Sequence, residues 1–192
     1  MNLSAKYWEE RYQNQLTGWD IGTVSSPLKN YIDQLTDRNT KILIPGAGYG
    51  HEAAYLFEKG FKNVYVCDYA QSALDQFQTK HPAFPSEQLI ASDFFTLENQ
   101  FDLIIEQTFF CAIDPSLRSS YAEKMASLLS VKGKLVGVLF NRSFEGGPPF
   151  GGCQEEYMGY FAPYFNIKTM EDCYNSIPQR AGSELFMILE KV

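Results

Sequence analysis

The sequence is poor in histidine and cysteine. Its 192 residues include only two histidines, and its four cysteines are scattered with no Cys-x-x-Cys pair among them. Zinc sites and disulfide frameworks need these residues at short, regular spacings. The composition therefore predicts neither a metal site nor a disulfide scaffold, and we expect Cys67 and Cys111 to be buried free thiols.

Basic residues and long apolar runs are also scarce. The chain carries 16 lysines and arginines against 23 acidic residues, a net charge of -7, whereas nucleic-acid-binding proteins usually present a basic face. No apolar run approaches the roughly 20 residues that span a bilayer, and no signal-peptide pattern opens the chain. We therefore expect a cytoplasmic protein that binds neither nucleic acid nor membrane.

Length and patterning indicate one α/β domain over residues 1–192. Hydrophobic residues make up 45% of the chain, and a chain of this size buries one core well but is short for two. Seven segments have strand character: residues 42–44, 63–68, 88–93, 101–108, 133–140, 165–171 and 185–190. Helical patterns cover residues 4–14, 26–35, 51–59, 70–80, 115–129 and 157–163. The alternation predicts a mostly parallel sheet with helices on both faces and an antiparallel last pair.

The first predicted strand runs directly into a glycine-rich turn. Residues 41–50 read Lys-Ile-Leu-Ile-Pro-Gly-Ala-Gly-Tyr-Gly, and a helical pattern follows at residue 51. Glycines let the backbone bend sharply and approach a ligand, and the free amides at the start of a helix would point at that ligand. The turn indicates a nucleotide-binding loop, with a plain strand-to-helix connection as the alternative.

Acidic residues end the next predicted strands. Asp68 ends the second, where a carboxylate can accept hydrogen bonds from both ribose hydroxyls of a nucleoside. Asp93 ends the third, where it can accept from the exocyclic amine of adenine while Phe94 covers the base. Glu106 ends the fourth, facing the same crevice. A dinucleotide enzyme shares the pattern as far as Asp68, and each acid alone fits a helix N-cap, but the ordered set is typical of Rossmann-like S-adenosylmethionine methyltransferases.

Five motifs extend this interpretation. They read Tyr-Trp-Glu-Glu-Arg-Tyr at residues 7–12, Thr-Gly-Trp-Asp-Ile-Gly at 17–22, Ile-Pro-Gly-Ala-Gly-Tyr-Gly-His-Glu at 44–52, Thr-Phe-Phe-Cys-Ala-Ile-Asp-Pro at 108–115 and Gly-Gly-Pro-Pro-Phe at 146–150. On these motifs the chain resembles the thiopurine S-methyltransferase superfamily over essentially its whole length. It is more similar to the plant and bacterial thiol and halide methyltransferases than to the thiopurine enzymes of animals.

The resemblance implies S-adenosyl-L-methionine as cofactor, S-adenosyl-L-homocysteine as product, and a class I methyltransferase fold. Residues 1–36 would form a helical segment that covers the cofactor. The residues implied to bind the cofactor are the aromatic cover Trp8, Tyr12 and Trp19, the loop glycines Gly46 and Gly48, the ribose acid Asp68, the adenine pair Asp93 and Phe94, and Gln107 after the fourth strand. Tyr12 and Gln107 depart from the tryptophan and tyrosine of plant members, and ordinary amphipathic anchoring is the alternative for Trp8 and Trp19.

The implied reaction is methyl transfer to a small soft nucleophile such as a thiol, bisulfide, thiocyanate or a halide. An activated sulfonium methyl needs alignment more than acid or base groups, so no residue is assigned a catalytic role. Arg118, Arg142 and Arg180 are candidates for the anion side, although an arginine of this kind is more often a surface residue. Two alternatives remain: a thiopurine-type enzyme acting on aromatic thiols or on selenium and tellurium species, and a cofactor-binding sensor or partner subunit without turnover. We expect a monomer.

Overall fold

A seven-stranded β-sheet forms the centre of the structure, a computed structural model that describes residues 3–192. Positions 1 and 2 of the predicted covering segment lie outside the described residues. The strands are β1 (Ile42–Pro45), β2 (Val64–Asp68), β3 (Leu89–Ala91), β4 (Phe101–Gln107), β5 (Leu129–Phe140), β6 (Phe165–Asp172) and β7 (Glu184–Lys191). The α-helices are α1 (Ala5–Gln13), α2 (Ser26–Ile32), α3 (His51–Glu58), α4 (Gln71–Lys80), α5 (Arg118–Leu128) and α6 (Gln154–Phe161). Within residues 3–192 no helix has the length and apolar character needed to cross a membrane.

The strands lie in the order β3-β2-β1-β4-β5-β7-β6. Strands β1 to β5 pair in parallel, whereas β7 runs antiparallel to its neighbours β5 and β6. The predicted mostly parallel sheet with an antiparallel last pair is therefore confirmed. Because the chain passes from β3 at one edge back to β4 beside β1, the strand order reverses between β1 and β4. Open α/β sheets bind ligands outside the carboxyl ends of the strands at such a switch point.

Consecutive residues of the central strands pack on opposite faces of the sheet. In β1, Ile42 and Ile44 belong to one buried cluster, whereas Leu43 belongs to the other. Helices α2, α3 and α4 supply side chains to the first cluster, and α5 and α6 supply side chains to the second. Burial on both faces explains why β1 is a continuous apolar run rather than an alternating one.

Several element boundaries differ from the sequence-based expectation. The helix predicted from residue 115 starts as a 3-10 turn, Pro115–Leu117, and becomes α-helical at Arg118. Strand β5 begins at Leu129, four residues before the predicted start, because Leu129 pairs with Phe101 ahead of an irregularity in the register. Lys132, with φ +61°, lies within that irregularity. Such a local register shift depends on the partner strand, so the pattern of β5 alone does not reveal it.

Candidate functional site

A cavity of about 950 Å³ opens where β1, β2 and β4 end. Pockets that bind small molecules typically measure about 300 to 1,000 Å³, so this cavity is large enough for a nucleoside-sized ligand and a second small molecule. Seven of the nine predicted cofactor-binding residues line it: Trp8, Tyr12, Trp19, Gly46, Asp68, Asp93 and Phe94. The other two, Gly48 and Gln107, line a neighbouring cavity of about 40 Å³.

The turn after β1 requires glycine for two reasons. Gly46 and Gly48 have φ values of +56° and +55°, in the left-handed region that favours glycine. A Cβ atom on Gly46 would lie 2.3 Å from Cδ2 of Phe109, and one on Gly48 would lie 2.8 Å from the hydroxyl of Tyr12. The turn therefore keeps close contact with the loop after β4 and with the N-terminal segment.

The carboxylate of Asp68 joins this turn to the end of β2. Its Oδ2 accepts a 2.9 Å hydrogen bond from the amide of Gly48, and its Oδ1 accepts a 2.8 Å hydrogen bond from the amide of Ala70. Burial raises the pKa of Asp68, while these backbone donors act in the opposite direction. A carboxylate offers about four lone-pair sites. Asp68 can thus accept two further hydrogen bonds from a ligand in the cavity.

Asp93 and Phe94 lie together on a second wall of the cavity. Oδ1 of Asp93 accepts a 2.9 Å hydrogen bond from the amide of Phe95, and Phe94 is only 2% exposed, with its ring centroid 5.2 Å from that of Phe109. Tyr69 lines the same part of the cavity, and burial together with the nearby carboxylate of Asp93 raises its pKa. Sequence reasoning does not identify Tyr69, although its position directly after Asp68 is the available signal.

The aromatic residues of the N-terminal segment form one cluster over the cavity. The ring centroids of Trp8 and Trp19 are 5.6 Å apart, those of Tyr12 and Trp19 are 5.7 Å apart, and all these contacts are edge-to-face. Tyr12 also packs edge-to-face on Tyr49 of the glycine-rich turn at 5.5 Å. Such pairs contribute about 0.5 to 1.5 kcal/mol beyond the area they bury. The cluster therefore fixes the N-terminal segment against the cavity.

Two polar contacts attach the same segment to distant parts of the chain. The carboxylate of Glu9 on α1 accepts a 3.1 Å hydrogen bond from the amide of Ser72 at the start of α4, and a second hydrogen bond from the Ser72 hydroxyl. The guanidinium of Arg180 donates a 2.9 Å hydrogen bond to the carbonyl of Trp19. The segment is thus held at one side of the cavity by α4 and at the other by the loop before β7.

The end of the cavity farther along the sheet is apolar and carries two guanidinium groups. Its apolar lining consists of Leu117, Phe140, Phe144, Pro148 and Pro149. Arg142 and Arg180 line the cavity here, and the Arg142 guanidinium lies 4.8 Å from the centroid of the Phe144 ring. Within residues 3–192 Arg142 forms no ion pair. This end can hold a weakly hydrated anion beside apolar surface.

The third candidate arginine has a different environment. Arg118 is buried, pairs with Glu156 at 2.6 Å and donates a 2.8 Å hydrogen bond to the carbonyl of Gly151. It supports the loop around Gly151 and does not line the cavity. Arg11, which sequence reasoning does not single out, does line the cavity and donates a 2.8 Å hydrogen bond to the hydroxyl of Tyr7.

Two buried thiols form part of the cavity wall. Cys67 and Cys111 are free and buried as expected, and both line the cavity. Burial raises the pKa of each thiol to about 12. Both thiols are therefore protonated at neutral pH, where a protonated thiol is a poor nucleophile.

Glu106 does not face the cavity, contrary to the expectation from its place at the end of β4. The side chain is fully buried, and its carboxylate accepts hydrogen bonds from the amides of Phe109 and Phe110 at 2.8 and 3.0 Å and from the hydroxyl of Tyr121. Strand ends fix where a residue lies along the sheet, but the turn that follows fixes where its side chain points. Here the turn folds back over the carboxylate.

Comparisons with known proteins identify the family of this chain. The family model of thiopurine S-methyltransferase (TPMT) matches residues 3–192. The probable thiol methyltransferase 2 of Arabidopsis thaliana is 29% identical over 186 residues, covering 92% of this chain and 81% of the relative. Thiocyanate methyltransferase 1 of Brassica oleracea is 28% identical over 184 residues, with the same coverage of 92% and 81%. The thiopurine S-methyltransferase of Pseudomonas aeruginosa is 24% identical over 190 residues, covering 88% and 87%.

Solved structures share the fold at lower identity. The 1,6-didemethyltoxoflavin-N1-methyltransferase of Burkholderia thailandensis, crystallised with S-adenosylhomocysteine, superposes with a TM-score of 0.78 at 17% identity, covering 98% of this chain and 87% of that one. The magnesium protoporphyrin IX methyltransferase of Synechocystis, also with this product bound, superposes with a TM-score of 0.76 at 13% identity, covering 98% and 97%. The predicted Rossmann-like methyltransferase fold is therefore confirmed.

Proposed function

This chain belongs to the thiopurine S-methyltransferase family and is an S-adenosylmethionine-dependent methyltransferase, and we propose that its acceptor is a small soft nucleophile: a thiol, bisulfide, thiocyanate or a halide. The observation that carries the proposal is the apolar end of the cavity with Arg142 and Arg180 in its wall. When bound, S-adenosylmethionine supplies an electrophilic methyl group on a sulfonium. The residues around it then need to align and desolvate the acceptor.

The residues of the cavity fit this cofactor. We propose that Asp68 accepts from the ribose hydroxyls through its remaining lone pairs, that Asp93 accepts from the adenine amine beside Phe94, and that the turn at Gly46 holds the amino-acid end. The fit rests on the volume of the cavity and on the close backbone approach that glycine permits at this turn. Gly48 donates its amide to Asp68, so its proposed role is to hold that carboxylate in place.

The aromatic cluster and Gln107 complete the proposed cofactor site. Residues 1–36, within a single domain of 192 residues, are proposed as the covering segment, and its rings Trp8, Tyr12 and Trp19 as the cover itself. This is supported by their place in the cavity wall. Gln107 lines the small neighbouring cavity, and we propose that it supports the turn after β1. The cytoplasmic location and the monomeric state stay predictions from the sequence.

The apolar end of the cavity, which we call the acceptor end, suits a nucleophile that arrives deprotonated. No histidine is among the residues that line the cavity in the described part of the chain, and the thiols Cys67 and Cys111 are themselves protonated at neutral pH. A soft anion loses little by leaving water and needs no base, whereas a hydroxyl or amine would lose hydrogen bonds that this apolar wall does not replace. Arg142 would favour the anionic form electrostatically, whereas the charge of Arg180 is partly offset by its ion pair with Glu184 at 3.4 Å.

A headspace assay tests the proposal. Purified enzyme with S-adenosylmethionine is given bisulfide, thiocyanate or each halide in turn, and the volatile methyl product is identified by gas chromatography. Arg142→Gln should lower kcat/KM for anions about tenfold or more, because a hydrogen bond to a charged group contributes about 1.5 to 3 kcal/mol. Arg38→Gln, at an exposed arginine outside the cavity, is the matched control. Product formed only from amines or alcohols would refute the proposal.

The size of the cavity favours a second candidate acceptor. At about 950 Å³ it is near the top of the range for ligand pockets, and the rings of Phe140 and Phe144 at its acceptor end can stack on an aromatic thiol. We therefore include thiophenols in the same assay. A kcat/KM for a thiophenol well above that for bisulfide or thiocyanate would favour this second candidate.

A further inference from the structure

A buried carboxylate lies directly beneath the wall of the cavity. Glu106, the penultimate residue of β4, is 0% exposed. The neighbouring strand β5 leaves room for it at Gly137, because a Cβ atom there would lie 2.5 Å from Cβ of Glu106. Buried acidic side chains are uncommon unless they are paired or hydrogen-bonded, and within residues 3–192 Glu106 has no cationic partner.

Three donors satisfy this carboxylate instead of a cation. Oε1 accepts hydrogen bonds from the amides of Phe109 at 2.8 Å and Phe110 at 3.0 Å. Oε2 accepts from the hydroxyl of Tyr121 on α5. The two amides belong to consecutive residues of the turn that leaves β4. The carboxylate therefore fixes the direction of that turn as well as its own position.

The turn has a backbone conformation that its sequence does not favour. Thr108 has φ +61°, in the left-handed region, which is uncommon for a β-branched residue. Such strained residues persist only where the surrounding structure holds them. The hydrogen bonds from Phe109 and Phe110 to Glu106 follow directly after Thr108, so they are placed to hold it.

The turn builds one wall of the cavity. The ring of Phe109 packs against Gly46 in the glycine-rich turn, and Phe109 and Cys111 line the cavity. The carbonyl of Cys111 accepts a 2.7 Å hydrogen bond from the amide of Phe150, which belongs to the loop with Pro148 and Pro149 at the acceptor end. A change in the turn would therefore reach the loop at the acceptor end through Phe150 and the glycine-rich turn through Phe109.

We propose that Glu106 is a positioning residue, whose carboxylate clamps the turn after β4 and thereby sets the acceptor end of the cavity. This inference rests on the proposed function, because it assigns that end of the cavity to the acceptor. Glu106 touches neither substrate nor cofactor. Its loss should affect use of the acceptor more than affinity for the cofactor.

The carboxylate that forms the clamp has a strongly perturbed pKa. Burial raises the pKa of Glu106 to about 7, while the hydroxyl of Tyr121 and the two amides oppose that rise. The titratable groups that face it are Tyr121 from α5 and Cys111 from the turn, and β5 presents only Gly137. The ionised carboxylate accepts all three hydrogen bonds, whereas in the protonated form Oε1 can still accept from both amides while Oε2 donates to the hydroxyl oxygen of Tyr121. Protonation near pH 7 should therefore change the electrostatic surroundings of the two amides without releasing them.

Two substitutions of Glu106 distinguish loss of the hydrogen bonds from loss of the titratable proton. In Glu106→Gln the side-chain oxygen can accept from both amides and the nitrogen can donate to the Tyr121 hydroxyl oxygen, so the clamp remains but does not titrate. Glu106→Met keeps the length of the side chain and removes every acceptor. The matched controls are Glu123→Gln and Glu123→Met, at an exposed glutamate of α5.

The kinetic test compares pH profiles and cofactor affinity. Glu106→Met should lower kcat/KM for the acceptor at least about tenfold, as loss of a charge-assisted hydrogen bond implies, and should raise the Kd for S-adenosylhomocysteine by a smaller factor. With thiocyanate or iodide, which stay anionic across this range, kcat/KM of Glu106→Gln should remain close to that of the wild type at both pH 6 and pH 8. An unchanged kcat/KM in Glu106→Met, an equal loss of cofactor affinity, or a loss in Glu106→Gln as large as that in Glu106→Met would overturn the proposal.

A second measurement needs neither an acceptor nor the Met variant. The NMR amide signals of Phe109 and Phe110 should shift with a midpoint near pH 7 in the wild type, close to the raised pKa of Glu106, and should not shift in Glu106→Gln. Amide signals that are independent of pH in the wild type would refute the clamp. Failure of every soft nucleophile in the headspace assay would instead refute the proposed acceptor, while this titration would still decide the role of Glu106.

Discussion

The amide of Gly48 donates a 2.9 Å hydrogen bond to Oδ2 of Asp68. This contact joins the turn after β1 to the end of β2, across the edge of the sheet where the cavity opens. Asp68 therefore serves two purposes in our account: it orders the glycine-rich turn, and it offers its remaining lone pairs to the ribose. Different substitutions of Asp68 should affect these two roles to different extents.

Asp68→Ala should weaken cofactor binding roughly ten- to a hundredfold, because removing the acceptor of a charge-assisted hydrogen bond costs about 1.5 to 3 kcal/mol. Asp68→Asn keeps one oxygen for the turn and should lose less. Titration calorimetry with S-adenosylmethionine measures both, with Asp75→Asn, an exposed acid of α4, as control. Equal affinity in the wild type and Asp68→Ala would remove Asp68 from the cofactor site.

The N-terminal segment should close over the cofactor. Residues 4–22 should exchange amide hydrogens more slowly when S-adenosylhomocysteine is bound, because the rings over the cavity would then be held from both sides. Glu9→Ala removes the hydrogen bonds to Ser72 and should speed exchange in the free protein. Glu10→Ala, which breaks only an exposed 3.8 Å pair with Lys6, should not. Identical exchange with and without ligand would show that the segment is a fixed part of the core.

The strand pattern predicts the framework of this site but not its internal contacts. The alternation of apolar and polar segments is enough to predict the seven strands. A residue at the carboxyl end of a parallel strand, such as Asp68, then lies at the ligand-binding edge by topology alone. The direction of a side chain beyond that edge depends on the next turn. Glu106 is buried because the amides of Phe109 and Phe110 fold back onto it, and no local pattern encodes that reversal.

The three candidate arginines also show that local sequence does not predict the surroundings of a side chain. All three arginines are candidates for the anion side from the sequence, yet Arg118 is buried against Glu156 whereas Arg142 and Arg180 line the cavity. Burial of a guanidinium requires a carboxylate and carbonyl groups brought from elsewhere in the chain. Those partners are set by the tertiary fold, so the role of each arginine emerges only from the assembled structure.

Stability should fall as the pH rises from about 5 to about 7. The folded protein holds the proton of Glu106 more tightly than the unfolded chain does, because its pKa rises from 4.5 to about 7. This proton binding contributes to the free energy of unfolding in full below about pH 4.5, and the contribution is lost as the pH rises to about 7. For such a pKa shift the contribution is on the order of 3 kcal/mol. Burial also raises the pKa of Asp68 and that of Glu52, so both groups contribute to stability with the same sign.

Urea denaturation at pH 5 and pH 8 measures this effect. Glu106→Gln cannot titrate, so its free energy of unfolding relative to the wild type should increase between the two pH values. Glu123→Gln should change equally little at both. The same difference between Glu106→Gln and wild type at pH 5 and pH 8 would contradict the assignment of this titration to Glu106.

The order of preference among acceptors reports on the chemistry of the acceptor end of the cavity. In an apolar site beside Arg142 and Arg180, weakly hydrated nucleophiles lose least on leaving water. We predict that kcat/KM measured with saturating S-adenosylmethionine is highest for bisulfide, thiocyanate, iodide or an aromatic thiol, lower for bromide and lowest for chloride. A preference for chloride over iodide, or turnover confined to nitrogen and oxygen acceptors, would contradict the account.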